Sequence, residues 1–137
     1  NIWVSNGYIT PEALELVLPY LDAANIDLKG PDDAVYARYC GARAEPVLAA
    51  LRCLRQAGVH LEITTLIVPG VNDAPQALTA MADLIAGDLG PDVPWHISRF
   101  FPAWRMSDQR PTNVSTLEIA RDLGYAAGLR NIHLGNV

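Results

Sequence analysis

Apolar runs of strand length recur along this chain, and amphipathic helix patterns fill the gaps between them. The strand-like segments begin near Asn1, Ala24, Val59, Pro94 and Asn131, at spacings of 23, 35, 35 and 37 residues. Each interval has room for one strand, one helix and the turns that join them, so the chain reads as a βα repeat. The strands are short and largely apolar: Ile2-Trp3-Val4, Ile26-Asp27-Leu28, Leu61 to Val68, Trp95 to Phe101 and Ile132-His133-Leu134. Strands of this kind, alternating with helices, predict a parallel sheet. A complete (β/α)8 barrel takes about 250 residues. The expectation is therefore an α/β fold holding part of a (β/α) TIM-type barrel, with five parallel strands and helices on the outer face, or else an open sheet.

The helix patterns carry their own boundary signals. Thr10 and Pro11 open the first as N-cap and first helical residue, with Leu14, Val17, Leu18 and Leu21 on one face and Pro19 as its stop. A second helical region runs from Pro31 to Gly58 with a break near Gly41. Its later part starts at Pro46 and carries Val47, Leu48, Leu51 and Leu54. A third helix follows Asn72-Asp73, with Leu78, Met81, Ala82 and Ile85 as its apolar face. Ser115-Thr116-Leu117-Glu118 reads as a capping box opening a fourth, which closes at Gly128.

Composition removes several classes of function. Fifteen acidic residues against ten Lys and Arg leave a net charge of −5, and no basic stripe is present to displace counterions from nucleic acid. No apolar run approaches the roughly 18 residues that span a bilayer, so no membrane association is expected. A signal-peptide pattern is missing as well. Cys40 and Cys53 read as reduced thiols of a cytoplasmic protein. The chain opens inside an apolar run, Asn1-Ile2-Trp3-Val4, without Met, which reads as a piece of something longer.

Ligands of parallel α/β folds bind at the carboxyl ends of the strands. Polar or glycine-containing residues stand at each of those ends here: Ser5-Asn6-Gly7, Asp27-Leu28-Lys29-Gly30, Pro69-Gly70-Val71-Asn72-Asp73, His96 with Ser98 and Arg99, and Gly135-Asn136. Strand alternation puts Asp27 and Lys29 on one face if Leu28 packs against a helix. Such a pair either neutralises itself or offers opposite charges to a zwitterion, Lys29 to a carboxylate and Asp27 to an ammonium or to ribose hydroxyls.

Ser5-Asn6-Gly7, Asp27-Leu28-Lys29, Val68-Pro69-Gly70 with Asn72-Asp73, and Trp95-His96-Ile97-Ser98-Arg99-Phe100, in this order, resemble the radical S-adenosylmethionine (SAM) enzymes, and among them the pyruvate formate-lyase activating enzyme group. The resemblance covers essentially the whole chain. It implies a partial barrel of which residues 1–137 form a single domain, the C-terminal portion. It implies a [4Fe–4S] cluster that reductively cleaves SAM, and a 5′-deoxyadenosyl radical that abstracts hydrogen from a substrate. A protein partner such as a glycyl-radical enzyme is one such substrate.

Carried over by position, Ser5 and Asn6 lie on the strand that approaches the ribose or methionine end. Asp27 and Lys29 match polar contacts of the cosubstrate, Leu66 lines the adenine side, and Arg99 stands at the rim. The chain departs from the pattern in three places. Val4 occupies a position that is Asp in the activating enzymes, and Phe101 one that is His. The CxxxCxxC cluster motif and the Gly-Gly-Glu strand after it are absent. Cys40 and Cys53 do not replace three closely spaced ligands, so these residues alone are expected to hold no cluster and to be inactive.

Weaker candidates keep two readings each. His60, His96 and His133 lack metal-ligand spacing, and no metal site is expected. Glu62 is a catalytic acid or a partner for a neighbouring strand. Trp95, Phe100, Phe101 and Trp104 form a substrate platform or anchor core and loop. Asn72-Asp73 touches a ligand, or Asp73 caps the third helix. Arg99 faces the open rim, with a substrate anion or Asp27 as its partner. Besides a radical SAM enzyme, the residues are compatible with a non-catalytic α/β module binding a nucleotide or small anion at the strand ends. They also suit a scaffold whose rim charges only pair with one another. The uncovered first strand predicts self-association.

Overall fold

The strand segments all form, and they pair in sequence order. The computed structural model describes residues 1–137. Strands β1 (Ile2–Ser5), β2 (Ala23–Asp27), β3 (His60–Ile67), β4 (Trp95–Arg99) and β5 (Ile132–Gly135) make one sheet in the order β1-β2-β3-β4-β5, every neighbouring pair parallel. The helices α1 (Pro11–Val17), α2 (Asp33–Val35), α3 (Ala44–Gln56), α4 (Pro75–Leu84) and α5 (Val114–Ala126) fill the crossovers.

Alternation decides which face the helices cover. Ala24, Ile26, Leu61, Ile63, Ile67, Trp95 and Ile97 are buried and share one core of 27 residues with Leu51, Leu54, Leu78, Met81 and Leu117 of the helices. The other members of each strand, Val4, Asn25, Asp27, Glu62, Thr64, Leu66, His96, Ser98 and His133, are half-buried or exposed. One covered face and one open face make a segment of barrel wall, not a doubly wound sheet. Trp95 is fully enclosed, and its indole N–H donates to Thr65 Oγ1 at 2.9 Å, so the core's largest side chain leaves no polar atom unsatisfied. Gly124 of α5 permits this packing, because a Cβ there would stand 2.6 Å from Ile132 Cδ1 and 3.2 Å from the Trp95 ring.

Several boundaries differ from those the sequence predicts, each for a tertiary reason. Thr10 caps α1 as expected, and Pro19 sits in the 3-10 turn Leu18–Tyr20 that ends it. The second helical region does break at Gly41, but α2 is one turn followed by a π turn over Tyr36–Cys40. Helix α3 starts at Ala44 instead of Pro46, because Asp33 Oδ1 accepts the Ala44 N–H at 2.7 Å. Asp73 does not cap the third helix. Its carboxylate accepts the Gly70 N–H at 2.8 Å within the turn, and α4 begins at Pro75, which has no N–H to satisfy. The capping box at Ser115 does not form either. Thr112 is tied to β3, its hydroxyl donating to the Ile67 carbonyl at 2.5 Å, and the chain enters α5 directly after Asn113. Strand β4 stops at Arg99 and not at Phe101, since Phe100 turns its backbone to Thr112.

Candidate functional site

The carboxyl ends of β1, β2 and β3 converge on Lys29. Ser5 Oγ accepts the Gly7 N–H at 3.1 Å and Asn6 Oδ1 accepts the Tyr8 N–H at 3.0 Å, which closes a turn directly after β1. Gly7 lies at φ +70°, and a Cβ there would meet Ile26 Cγ2 at 2.7 Å, so only glycine fits both backbone and neighbour. After β2, Leu28 is buried and the residues on either side of it face the open side of the sheet. Lys29 Nζ donates to Asp27 Oδ2 at 2.9 Å, with the two side chains 40% and 39% exposed. The two charges do pair, while both keep contact with water.

Beneath this pair the backbone is held firmly. Lys29 N–H donates to the Tyr36 hydroxyl at 3.2 Å, and the buried Tyr36 phenol has its pKa pushed up by that burial. Asn72, also buried, donates from Nδ2 to the carbonyls of Lys29 and Leu66, each at 2.9 Å, and accepts the Val68 N–H at 2.8 Å. One amide therefore stitches the end of β2 to the end of β3. The clamp is Asn72 and not the neighbouring Asp73, which the sequence marks as a helix cap. The turn-forming run Pro69-Gly70-Val71-Asn72 was the available signal.

Lys29 stands between two clefts. One, of about 130 Å³, is walled by Val35, Tyr39, Leu66, Val68 and Met106. The other, of about 140 Å³, is walled by Asn6, Tyr8, Tyr36 and Cys40. Asn6, Asp27, Lys29 and Leu66 are thus brought together. A larger cleft, of about 350 Å³, lies apart from Lys29, between Ile9 and Leu14 on one side and Pro46, Ala50 and Cys53 on the other. An acid and a base in contact, both half in water and beside an apolar wall, suit a ligand that carries both charges and a flat apolar face.

Arg99 stands apart from the pair. Its Nε donates to the Thr112 carbonyl at 2.7 Å and its guanidinium lies over the Phe101 ring at 4.8 Å, so Asp27 is not its partner. Glu62 is a cross-strand partner. Its carboxylate accepts from His96 Nε2 at 2.8 Å and lies 3.2 Å from His60 Nε2. The hydrogen bond with His60, together with that from His96, holds its carboxyl below the ordinary glutamate value. His96 stacks on His133 with ring centres 5.0 Å apart, and Thr64 Oγ1 donates to Asn25 Oδ1 at 2.7 Å. Of the aromatic residues, Trp95 and Phe100 belong to the interior, whereas Phe101 and Trp104 are exposed.

A [4Fe–4S] cluster does not fit these residues. Cys40 opens on the clefts beside Lys29, Cys53 on the distant one, and three convergent thiolates are not available. No helix is long and apolar enough to cross a membrane.

Over its full length the chain is 41% identical to the protein MJ0808 of Methanocaldococcus jannaschii, of which it spans 40%. It is 30% identical over 80 residues to the isethionate sulfite-lyase activating enzyme of Nitratidesulfovibrio vulgaris, a match covering 57% of this chain and 26% of that enzyme. The chain thus spans less than half the length of these relatives. A domain of the pyruvate-formate lyase-activating enzyme from Bacteroides vulgatus shares the fold, with a TM-score of 0.80 at 19% identity over 98% of this chain and 80% of that one. A radical SAM methyltransferase from Sphaerobacter thermophilus does so at 0.73 and 18%, over 98% of this chain and 40% of the methyltransferase. The sequence model of the Radical SAM superfamily matches residues 1–82, well over half the chain. This chain, with its parallel wall of strands and its polar rim, belongs to the radical SAM superfamily and resembles the activating enzymes.

Proposed function

We propose that this chain forms the SAM-contacting wall of a radical SAM enzyme of the activating type. The observation that carries the reading is the Lys29–Asp27 pair, half in water and flanked by clefts at the carboxyl ends of β1, β2 and β3. In this reading Lys29 takes the cosubstrate carboxylate, and Asp27 takes the ammonium or the ribose hydroxyls. Ser5 and Asn6 hold the turn along the ribose or methionine end. Leu66 offers the apolar wall to the adenine, and Arg99 keeps free guanidinium N–H groups for an anionic group at the rim. The superfamily's [4Fe–4S] cluster would supply the electron for SAM cleavage. Its thiolate ligands lie outside these residues, so residues 1–137 alone are inactive. In the cytoplasm, the whole enzyme removes hydrogen from a glycyl residue of a protein partner.

The test uses the full-length protein, reconstituted anaerobically with iron and sulfide and given SAM and a reductant. Formation of 5′-deoxyadenosine and methionine supports the reading. SAM bound tightly without iron, and no cleavage with it, would turn the assignment to a non-catalytic nucleotide-binding module.

A further inference from the structure

The loop from Phe100 to Thr112 has a fixed base and a bare tip. At the base, the Thr112 hydroxyl donates to Ile67 O at 2.5 Å, Phe100 N–H donates to Thr112 Oγ1 at 3.3 Å, and Thr112 N–H donates to Phe100 O at 3.1 Å. Arg99 Nε adds a bond to the Thr112 carbonyl. Both ends of the loop are therefore pinned to the end of the sheet. The tip has the opposite character. Trp104 is 81% exposed and Phe101 is 52% exposed. Trp104 also sits at φ +49°, a left-handed conformation that residues with a side chain adopt at a cost.

Charge gives the tip a direction. Each exposed ring carries an arginine, Arg105 over Trp104 at 4.4 Å and Arg99 over Phe101 at 4.8 Å. From Arg99 to Arg110 there are three arginines against the single Asp108, in a chain whose net charge is −5. None of the three arginines joins any of the chain's ion pairs. Met106, from the same loop, walls the cleft beside Lys29 and Leu66. Through Met106, this aromatic and cationic loop therefore borders the candidate cosubstrate cleft. A nucleic acid would also stack on such rings, but a polyanion meets repulsion from the rest of this acidic chain. A peptide segment with a few carboxylates and interspersed apolar side chains meets less repulsion and satisfies both the arginines and the rings.

We propose that the Phe100–Thr112 loop docks an acidic, extended segment of a partner polypeptide at the mouth of the Lys29 cleft. The proposal rests on the activating-type reading, and it names the chemistry by which the protein substrate is recognised. Trp104 and Phe101 supply the apolar seats, while Arg105 and Arg110 read the carboxylates.

Fluorescence anisotropy on the full-length protein tests this with three labelled probes: a peptide alternating Asp, Leu and Gly, the same peptide with Asn for Asp, and a single-stranded RNA oligonucleotide of mixed sequence. The acidic peptide should bind, in a salt-sensitive way, at least about tenfold more tightly than the Asn peptide. Trp104→Ala and Arg105→Glu should each weaken it by about tenfold. Both variants should keep the wild-type melting temperature and the wild-type rate of 5′-deoxyadenosine formation without partner. Equal binding of the neutral peptide, no binding of the acidic one, or tighter binding of RNA overturns the proposal. Peptide binding that persists in a wild-type protein unable to cleave SAM supports the dock and removes the enzymatic reading, so the two fail separately.

Discussion

Two polar residues within hydrogen-bonding reach of the same strand end do different work, and exposure separates them. The Lys29–Asp27 pair is about two-fifths exposed on each side, so water compensates whichever partner is left behind. An ion pair in that setting contributes roughly 0–1 kcal/mol to folding. A charge-assisted hydrogen bond to a bound ligand is worth about 1.5–3 kcal/mol, or roughly ten- to a hundredfold in affinity. Lys29→Ala in the full-length protein should therefore weaken SAM binding within that range and leave the melting temperature nearly unchanged. Asp27→Asn should weaken it less, since the amide oxygen still accepts one hydrogen bond. Asn72→Ala should show the reverse pattern. It orphans the carbonyls of Lys29 and Leu66 and the N–H of Val68, at roughly 1–3 kcal/mol for each group that water does not reach. Calorimetric titration beside thermal melts reads both quantities. A collapse in melting temperature for Lys29→Ala, with binding intact among the molecules still folded, would make the pair structural and the site assignment wrong.

At the scale of elements, register joins residues that look unrelated along the chain. Asp27 lies opposite Thr64, Thr64 opposite His96, and His96 opposite His133, so one polar row crosses β2 to β5 on the open face. Glu62, two residues before Thr64, reaches across to His96. Its carboxyl pKa is lowered by folding, through the hydrogen bonds with His60 and then His96. A carboxylate held down in this way adds stability that is complete above its ordinary pKa of 4.5 and is lost as pH falls through the lower folded value. Wild type should thus melt higher than Glu62→Gln at mildly acid pH, and the gap should close in the acid window below about 4.5. A gap that is constant across that window would show that the carboxylate's charge adds nothing. The five parallel strands were legible in the sequence because apolar runs recur at regular intervals between helix patterns, and the polar rim was legible because those runs end in polar or glycine-containing residues. The Glu62–His96 bond was not, since cross-strand partners follow from register, which no single strand carries. The Thr112 tie and the Asn72 bond to Lys29 stayed hidden for the same reason, as each joins segments far apart in sequence. The π turns at Tyr36–Cys40 and Ile85–Leu89 left no periodic trace, because one extra residue in a last turn looks like an ordinary helix end.

Taken whole, the molecule is a barrel wall with one dry face and one wet one. Its wet face changes character along the sheet. Toward β3, β4 and β5 it is polar, with Glu62, Thr64, His96, Ser98 and His133. At β1 it is apolar: Ile2 is 79% and Val4 76% exposed, and β1 pairs only with β2, which leaves one backbone edge open. An open edge beside an uncovered apolar face is the arrangement that recruits another strand or another copy. The net charge of −5 opposes this only weakly at ordinary salt, where charges beyond about 10 Å are screened. Prepared by itself, the 137-residue chain should therefore self-associate, its sedimentation coefficient rising from micromolar to millimolar concentration. Ile2→Lys combined with Val4→Thr should shift it toward monomer without lowering its melting temperature, because neither side chain is buried within the chain. Leu16→Lys is the control. Leu16 is 75% exposed on α1, within the helical layer and not on the open face, so the same gain of charge there should leave association intact. A chain that stays monomeric throughout, or that is dispersed equally well by Leu16→Lys, would show that general surface apolarity, and not the β1 edge, governs how this wall meets other protein.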